Sequence, residues 1–160
     1  QRVLPVMSAR ACLHVIALIT PLLPVALWLL WLGKSADHDG LVNLLTFAIP
    51  GVVATQSGVL AFWGFVQRRA RAKQSAALAG VFMALCAHLL YGPLLALSLA
   101  TIAGWDAWSE GIGISGWIVQ SIFFAFASMM FAGWLSVPLA ALAAHWAGRQ
   151  REKEFGRESV

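Results

Sequence analysis

The chain has 160 residues, of which 60% are hydrophobic and only 11% charged, and its mean hydropathy is +0.77. A water-soluble domain carries about 25% charged residues, and one of this length has too little interior to hide so much apolar surface. The composition therefore excludes an ordinary soluble fold and indicates a protein solvated by lipid. The formal net charge of +4 does not predict nucleic-acid binding, because the basic residues stand in short runs between apolar segments.

Four apolar segments are long enough to cross a bilayer, which takes about 20 mostly apolar residues. Helices are expected there, because lipid leaves unpaired peptide groups unsatisfied. We predict an all-α integral membrane bundle of four transmembrane helices in one domain, residues 1–148, followed by a charged cytoplasmic tail, residues 149–160. The predicted spans are residues 11–33, 41–66, 76–103 and 117–146. Prolines within them predict kinks: Pro21, Pro24, Pro50, Pro93 and Pro138.

Lysine and arginine are concentrated before the first span, between the second and third, and after the fourth. The other two connections carry Lys34 and four acids, Asp37, Asp39, Asp106 and Glu110. The positive-inside rule therefore places both termini in the cytoplasm, and we expect a multi-pass protein of a bacterial inner membrane. The basic middle loop is expected to contact anionic lipid headgroups or a cytoplasmic partner; its basic residues are Arg68, Arg69, Arg71 and Lys73.

Small residues recur at about every fourth position of the third and fourth spans. Membrane helices associate through such positions, because small side chains let the backbones approach closely. We therefore expect these two helices to meet. The first span is rich in leucine and is expected to face lipid or another subunit. The packing positions predicted from this spacing are Gly80, Ala84, Gly92, Ala96, Ser128, Ala132 and Ser136.

His88 is the titratable side chain nearest the middle of a span, and its place on the small-residue line predicts that it faces the bundle. An ionisable group inside the membrane suggests a functional site, here a proton or substrate contact with Gln56 and Gln120 along a polar path. The alternative is a neutral structural imidazole, hydrogen-bonded to Gln56, Ser57 or Gln120. The span cores contain no acidic partner, which favours the structural interpretation.

His14 and His145 lie near the cytoplasmic ends of the first and fourth spans. If these helices were adjacent, the two histidines would be candidates to bind a b-type haem; otherwise no cofactor is expected. Cys12 and Cys86 each stand two residues before a histidine, and side chains at that spacing point to nearly opposite sides of a helix. No metal site is therefore expected.

The sequence has no nucleotide-binding or hydrolase motif and no paired carboxylates within a span, so a non-enzymatic protein is favoured. Our preferred hypothesis is an accessory or assembly subunit of a larger membrane complex that acts through helix contacts. Its expected partners are the lipid bilayer and other membrane subunits or further copies of itself. One alternative is a small oligomeric transporter or channel with a polar path near His88, and another is a b-type haem electron carrier.

Overall fold

The structure, a computed structural model, describes residues 8–31, 38–104 and 113–158. Within these ranges the chain is all helical, with no strand, which confirms the predicted all-α class. Four helical segments of this part of the chain are long and apolar enough to cross a membrane. The elements are α1 (Ala9–Trp31), α2 (His38–Arg71), α3 (Ala77–Ala103), α4 (Gly113–Ser128), a π-helical turn (Met129–Gly133) and α5 (Trp134–Glu158), with α4, the π-turn and α5 forming one continuous helix.

Two helices run beyond the spans predicted from hydropathy. Helix α2 continues through the basic segment to Arg71, and α5 continues through the charged segment to Glu158. Hydropathy predicts only where an apolar span ends. The helix itself continues because the residues beyond the span are good helix formers: alanine, arginine, glutamine, glutamate and lysine. The predicted end of the first span, residues 32–33, lies outside the described residues, as do Asp37, Asp106 and Glu110.

The turn between α2 and α3 is a Schellman motif. The Gln74 N–H donates to the Arg69 carbonyl at 2.9 Å, and the Lys73 N–H donates to the Ala70 carbonyl at 3.0 Å. Lys73 has a φ of 54°, which is the left-handed conformation this motif requires at its penultimate position. The motif satisfies the last carbonyls of α2 and reverses the chain within a few residues, so α2 and α3 pack as antiparallel neighbours.

The bundle is closed at the end that carries this turn, the start of α1 and the last turns of α5, which we call the basic end. The Ala9 N–H donates to Glu154 Oε1 at 3.2 Å. The guanidinium groups of Arg71 and Arg151 lie 5.1 and 4.2 Å from the centroid of the Phe155 ring, within range of a cation–π interaction. Four helices contribute to one buried cluster here: Ala9, Leu13, Ala17, Val59, Trp63, Val66, Ala76, Ala79, Met83, Ala144 and Ala147.

Helix α3 is central and packs against α2, α4 and α5. Two of its glycines permit these contacts: a Cβ at Gly80 would collide with the Ala140 carbonyl of α5, and a Cβ at Gly92 would collide with the Ser121 carbonyl of α4. Apart from the π-turn that continues it, α4 contacts α3 alone among the described elements, and it has no buried residue. Helix α4 is therefore an edge helix held from one side.

Candidate functional site around His88

His88 of α3 joins the two sides of the π-turn. Its Nδ1 lies 2.7 Å from Ser128 Oγ, and its Nε2 lies 2.7 Å from Ser136 Oγ. The side chain is buried, with 8% of its surface exposed. A neutral imidazole has one N–H donor and one acceptor nitrogen, and each serine hydroxyl can serve in either role. The two serines therefore satisfy both ring nitrogens, as a buried imidazole requires.

The π-turn explains how two serines eight residues apart reach the same ring. In an uninterrupted α-helix, eight residues turn about 80° beyond two full turns, so Ser128 and Ser136 would point in different directions. A π-turn accommodates one additional residue, so the two serines behave as if seven residues apart, about 20° short of two turns. Gly133 is buried in this turn, where a Cβ would lie only 2.8 Å from Met129 Sδ.

The hydrogen-bond partners predicted for His88 are wrong. Gln56 binds His14 instead, and the Ser57 hydroxyl donates to the Val53 carbonyl of its own helix at 2.8 Å. Gln120 lies eight residues before Ser128, about 12 Å along the helix, and makes no hydrogen bond with any described residue. The structure thus places His88, Gln56 and Gln120 in separate groups rather than along one hydrogen-bonded path.

His14 and Gln56 form a reciprocal pair between α1 and α2. His14 Nδ1 lies 2.6 Å from Gln56 Oε1, and Gln56 Nε2 donates to the His14 carbonyl at 2.9 Å. Because Oε1 can only accept, His14 Nδ1 carries the proton. Two of the residues predicted as site residues therefore hold α1 against α2.

A second polar contact between α1 and α2 lies one turn further along. Pro21 has no N–H and so leaves the Ala17 carbonyl without its helical donor. The Thr55 hydroxyl of α2 donates to that carbonyl at 2.6 Å. Gly51 lies against Pro21, where a Cβ would come within 2.8 Å of the proline Cβ. One side of α1, which we expected to face lipid or another subunit, thus packs on α2; its leucines Leu18, Leu23, Leu27 and Leu30 remain exposed.

His145 binds a different partner from His14. Its Nδ1 lies 3.0 Å from the hydroxyl of Ser75 in the α2–α3 turn. Between α1 and α5 at this level, Leu13, Ala144 and Ala147 belong to the buried cluster. Neither histidine lines the large cavity described below. The structure thus uses the Nδ1 of each histidine for a separate contact between helices, and haem binding by this pair stays a prediction.

The predicted packing residues serve different contacts. Gly80 and Gly92 bring α3 against α5 and α4, and Ala84 and Ala96 are buried on α3. Ala132 is exposed and lines the cavity. The additional residue of the π-turn interrupts the four-residue spacing at Ala132, which explains its different position. Ser128 and Ser136, as shown above, bind His88.

The basic residues of the α2–α3 segment are partly engaged within the chain. Arg69 donates to Gln74 Oε1 at 2.6 Å and lies 5.6 Å from the centroid of Phe65. The Arg68 Nε–H donates to the Gly64 carbonyl at 3.3 Å. Arg68, Arg71 and Lys73 are nevertheless exposed. The basic end therefore presents positive charge on its surface.

A cavity of about 650 Å³, bordered by α2 and α3 and with His88 in its wall, adjoins the buried cluster and lies between α1 and α5. The cavity opens outwards between these two helices, since Ile19 and Leu23 of α1 and Leu135 and Leu139 of α5 line it and are also exposed. No charged side chain is among its described lining residues. Its aromatic lining consists of Phe47, Tyr91, Phe131 and Trp134.

Tyr91 is the residue that the sequence analysis missed. It lies three residues after His88, so both side chains are on the same face of α3, and both line the cavity. Its hydroxyl makes no hydrogen bond with any residue in the described part of the chain. The available signal was this three-residue spacing between the one tyrosine of the sequence and the histidine.

The described residues contain no group of three or more histidine, cysteine, aspartate or glutamate side chains placed to hold a metal ion. Comparison of the chain with family models, curated proteins and solved structures finds no match in any of the three.

Proposed function

We propose that this chain is a non-catalytic, multi-pass protein of a bacterial inner membrane that serves as an accessory or assembly subunit of a larger membrane complex. The observation that carries the proposal is that α4 has few contacts with the bundle beyond those with α3. This helix packs against α3 alone among the described elements and has no buried residue. Its remaining faces are available to a transmembrane helix of another subunit.

The side chains on these faces support such a contact. Phe123 and Phe126 are more than 60% exposed, and Ile118 and Ile122 are exposed beside them. Aromatic residues are enriched where protein surfaces meet, because a rigid ring contributes a large contact area at low entropic cost. A second neighbouring helix would add van der Waals contacts that an edge helix lacks, and such contacts drive helix association in lipid.

The proposed orientation places the basic end in the cytoplasm. Arg68, Arg71, Lys73 and Arg149 are exposed at that end. Positive charge is retained on the cytoplasmic side of membrane proteins and is attracted to anionic headgroups there. Both termini would then be cytoplasmic.

Photocrosslinking in native membranes tests the partner. A photoreactive amino acid at Phe126 on α4 is expected to form an adduct with a different membrane protein. The matched control is the same residue at Leu60, which is 58% exposed on α2, and it is expected to give lipid adducts only. Equal protein adducts at both positions, lipid adducts alone at Phe126, or an adduct of twice the chain mass would contradict an accessory role.

A transporter remains a second candidate, because Ser128, His88 and Ser136 form a continuous row of groups that both donate and accept protons. Such a row supports proton movement if water reaches both of its ends. Proton flux into proteoliposomes that falls at least tenfold in His88→Ala would favour this candidate. Unchanged flux would exclude it.

A further inference from the structure

We propose that the cavity between α1 and α5 binds a neutral quinone, with a ring carbonyl accepting a hydrogen bond from the Tyr91 hydroxyl and the apolar tail leaving between the two helices. This inference does not depend on the subunit proposed to cover α4, because it concerns a different surface.

The size of the cavity fits a small molecule. Its volume of about 650 Å³ lies within the range of about 300–1,000 Å³ found for small-molecule sites. A small molecule that enters laterally between α1 and α5 therefore fits this cavity.

The charge of the cavity selects a neutral ligand. No lysine, arginine, aspartate or glutamate is among its described lining residues. A phosphate or carboxylate headgroup placed inside would lose its hydration without gaining an ion pair, at a large cost in free energy. The charged heads of phospholipids and fatty acids therefore do not suit this site.

The Tyr91 hydroxyl is a hydrogen-bond donor that has no partner among the described residues of the cavity wall. The Thr20 hydroxyl donates to the Ile16 carbonyl and the Thr55 hydroxyl to the Ala17 carbonyl, while both ring nitrogens of His88 are engaged by serines. The Tyr91 hydroxyl makes no bond with any described residue. In apolar surroundings an unpaired hydroxyl is unfavourable, and a ligand carbonyl satisfies it.

The aromatic lining selects a planar ring. Phe47, Tyr91, Phe131 and Trp134 all line the cavity. Aromatic side chains pack against flat π-systems in offset or edge-to-face arrangements that add to simple burial. A saturated acyl ester also offers a carbonyl and gains burial, but it makes no ring–ring contact with such a lining. The combination of a planar ring, a carbonyl acceptor, no charge and an apolar tail describes a quinone.

Titration of the delipidated chain in mild detergent with decylubiquinone tests the proposal. Quenching of tryptophan fluorescence is the readout, because Trp134 lines the cavity. Saturable binding of one molecule per chain is expected. Tyr91→Phe keeps the ring and removes only the hydroxyl, and it should weaken binding about 3- to 10-fold, as expected for one lost hydrogen bond.

Two further variants separate binding from folding. Ser57→Ala removes a hydroxyl that bonds within α2 and does not line the cavity, so it should bind decylubiquinone as the wild type does. Ala132→Phe fills the cavity from the π-turn and should abolish quenching while the thermal unfolding midpoint and circular dichroism show an intact helical protein. If Ala132→Phe unfolds the chain, the comparison of Tyr91→Phe with Ser57→Ala decides alone.

Three outcomes would overturn the proposal. The first is the absence of saturable quenching in the wild type. The second is unaltered affinity in Tyr91→Phe. The third is equal affinity for decylbenzene, which has a ring and tail but no carbonyl, since binding would then reflect apolar partition alone. None of these outcomes bears on the crosslinking result at Phe126.

Discussion

The Thr55 hydroxyl donates a 2.6 Å hydrogen bond to the Ala17 carbonyl, the group that Pro21 deprives of its donor on α1. The threonine on α2 thus supplies the hydrogen-bond donor that the proline on α1 lacks. With Gly51 against Pro21 and the reciprocal His14–Gln56 pair one turn away, this bond fixes α1 on α2. Polar groups, rather than small residues alone, define this interface.

Thr55→Val is therefore expected to destabilise the bundle. The substitution keeps the shape of the side chain but leaves the Ala17 carbonyl unpaired, and interhelical hydrogen bonds in membranes contribute about 0.6–2 kcal/mol. Unfolding in mixed detergent micelles measures the change. Ser57→Ala is the control, because its hydroxyl bonds only within α2. An equal effect of both substitutions would mean that the bond to Ala17 contributes nothing specific.

Gly80→Ala and Gly64→Ala should have opposite effects on stability. A Cβ at Gly80 meets the backbone of α5 at Ala140 and Ala141, whereas a Cβ at Gly64 meets nothing within 4 Å. Overpacking of this kind costs about 1–3 kcal/mol, while glycine to alanine at an exposed helical position gains up to about 1 kcal/mol. Thermal unfolding followed by circular dichroism distinguishes them, and an unchanged or higher midpoint in Gly80→Ala would contradict the close contact between α3 and α5.

Lys73→Gly is expected to stabilise the chain. Lys73 occupies a left-handed conformation with φ 54°, which costs an L-residue about 1–2 kcal/mol relative to its preferred regions. Glycine adopts this conformation without strain, so a gain of up to about 1 kcal/mol is expected after its larger unfolded-state entropy is considered. Lys73→Ala removes the same charge but keeps the strain, and it should show no gain. If Lys73→Gly and Lys73→Ala have the same free energy of unfolding, any change in stability comes from the lost charge and not from relief of the left-handed conformation.

Deletion of Ala132 should be tolerated, although it removes a residue from the middle of a helix. Without it the π-turn can become regular α-helix, and Ser128 and the serine now seven residues away still point to the same side. Deletion of Ala141 instead rotates the rest of α5 by about 100° and takes Ala144 and Ala147 out of the buried cluster. Melting curves should remain close to wild type for the first deletion and collapse for the second.

If deletion of Ala132 also unfolds the protein, the π-turn contributes to stability in addition to keeping Ser128 and Ser136 on the same side of the helix. A direct check is the imidazole nitrogen chemical shifts of His88, which report its two hydrogen bonds. These shifts should be retained after deletion of Ala132 and altered in Ser136→Ala, which removes one of the two hydroxyls.

The helical class and the approximate limits of the apolar segments were predictable because each is encoded locally, in runs of about 20 apolar residues. The position of His88 on the small-residue line indicated a buried side chain, and it is buried. Its partners could not be predicted, because they depend on one π-turn that changes which serines share a face. Similarly, hydropathy gave no sign that Gln56 would bind His14, since choosing between polar partners on different helices requires knowing which helices are neighbours.

The bond between the Ala9 N–H and Glu154 Oε1 joins residues 145 positions apart in the sequence. During synthesis α1 can settle on α2 soon after both have emerged, through contacts only about 40 residues apart. Closure of the basic end must wait until the very last helical turns are made, because long-range contacts require the whole intervening chain. A chain that stalls before Glu154 would therefore lack this bond, and only the apolar contacts of the buried cluster would hold the start of α1 against α5.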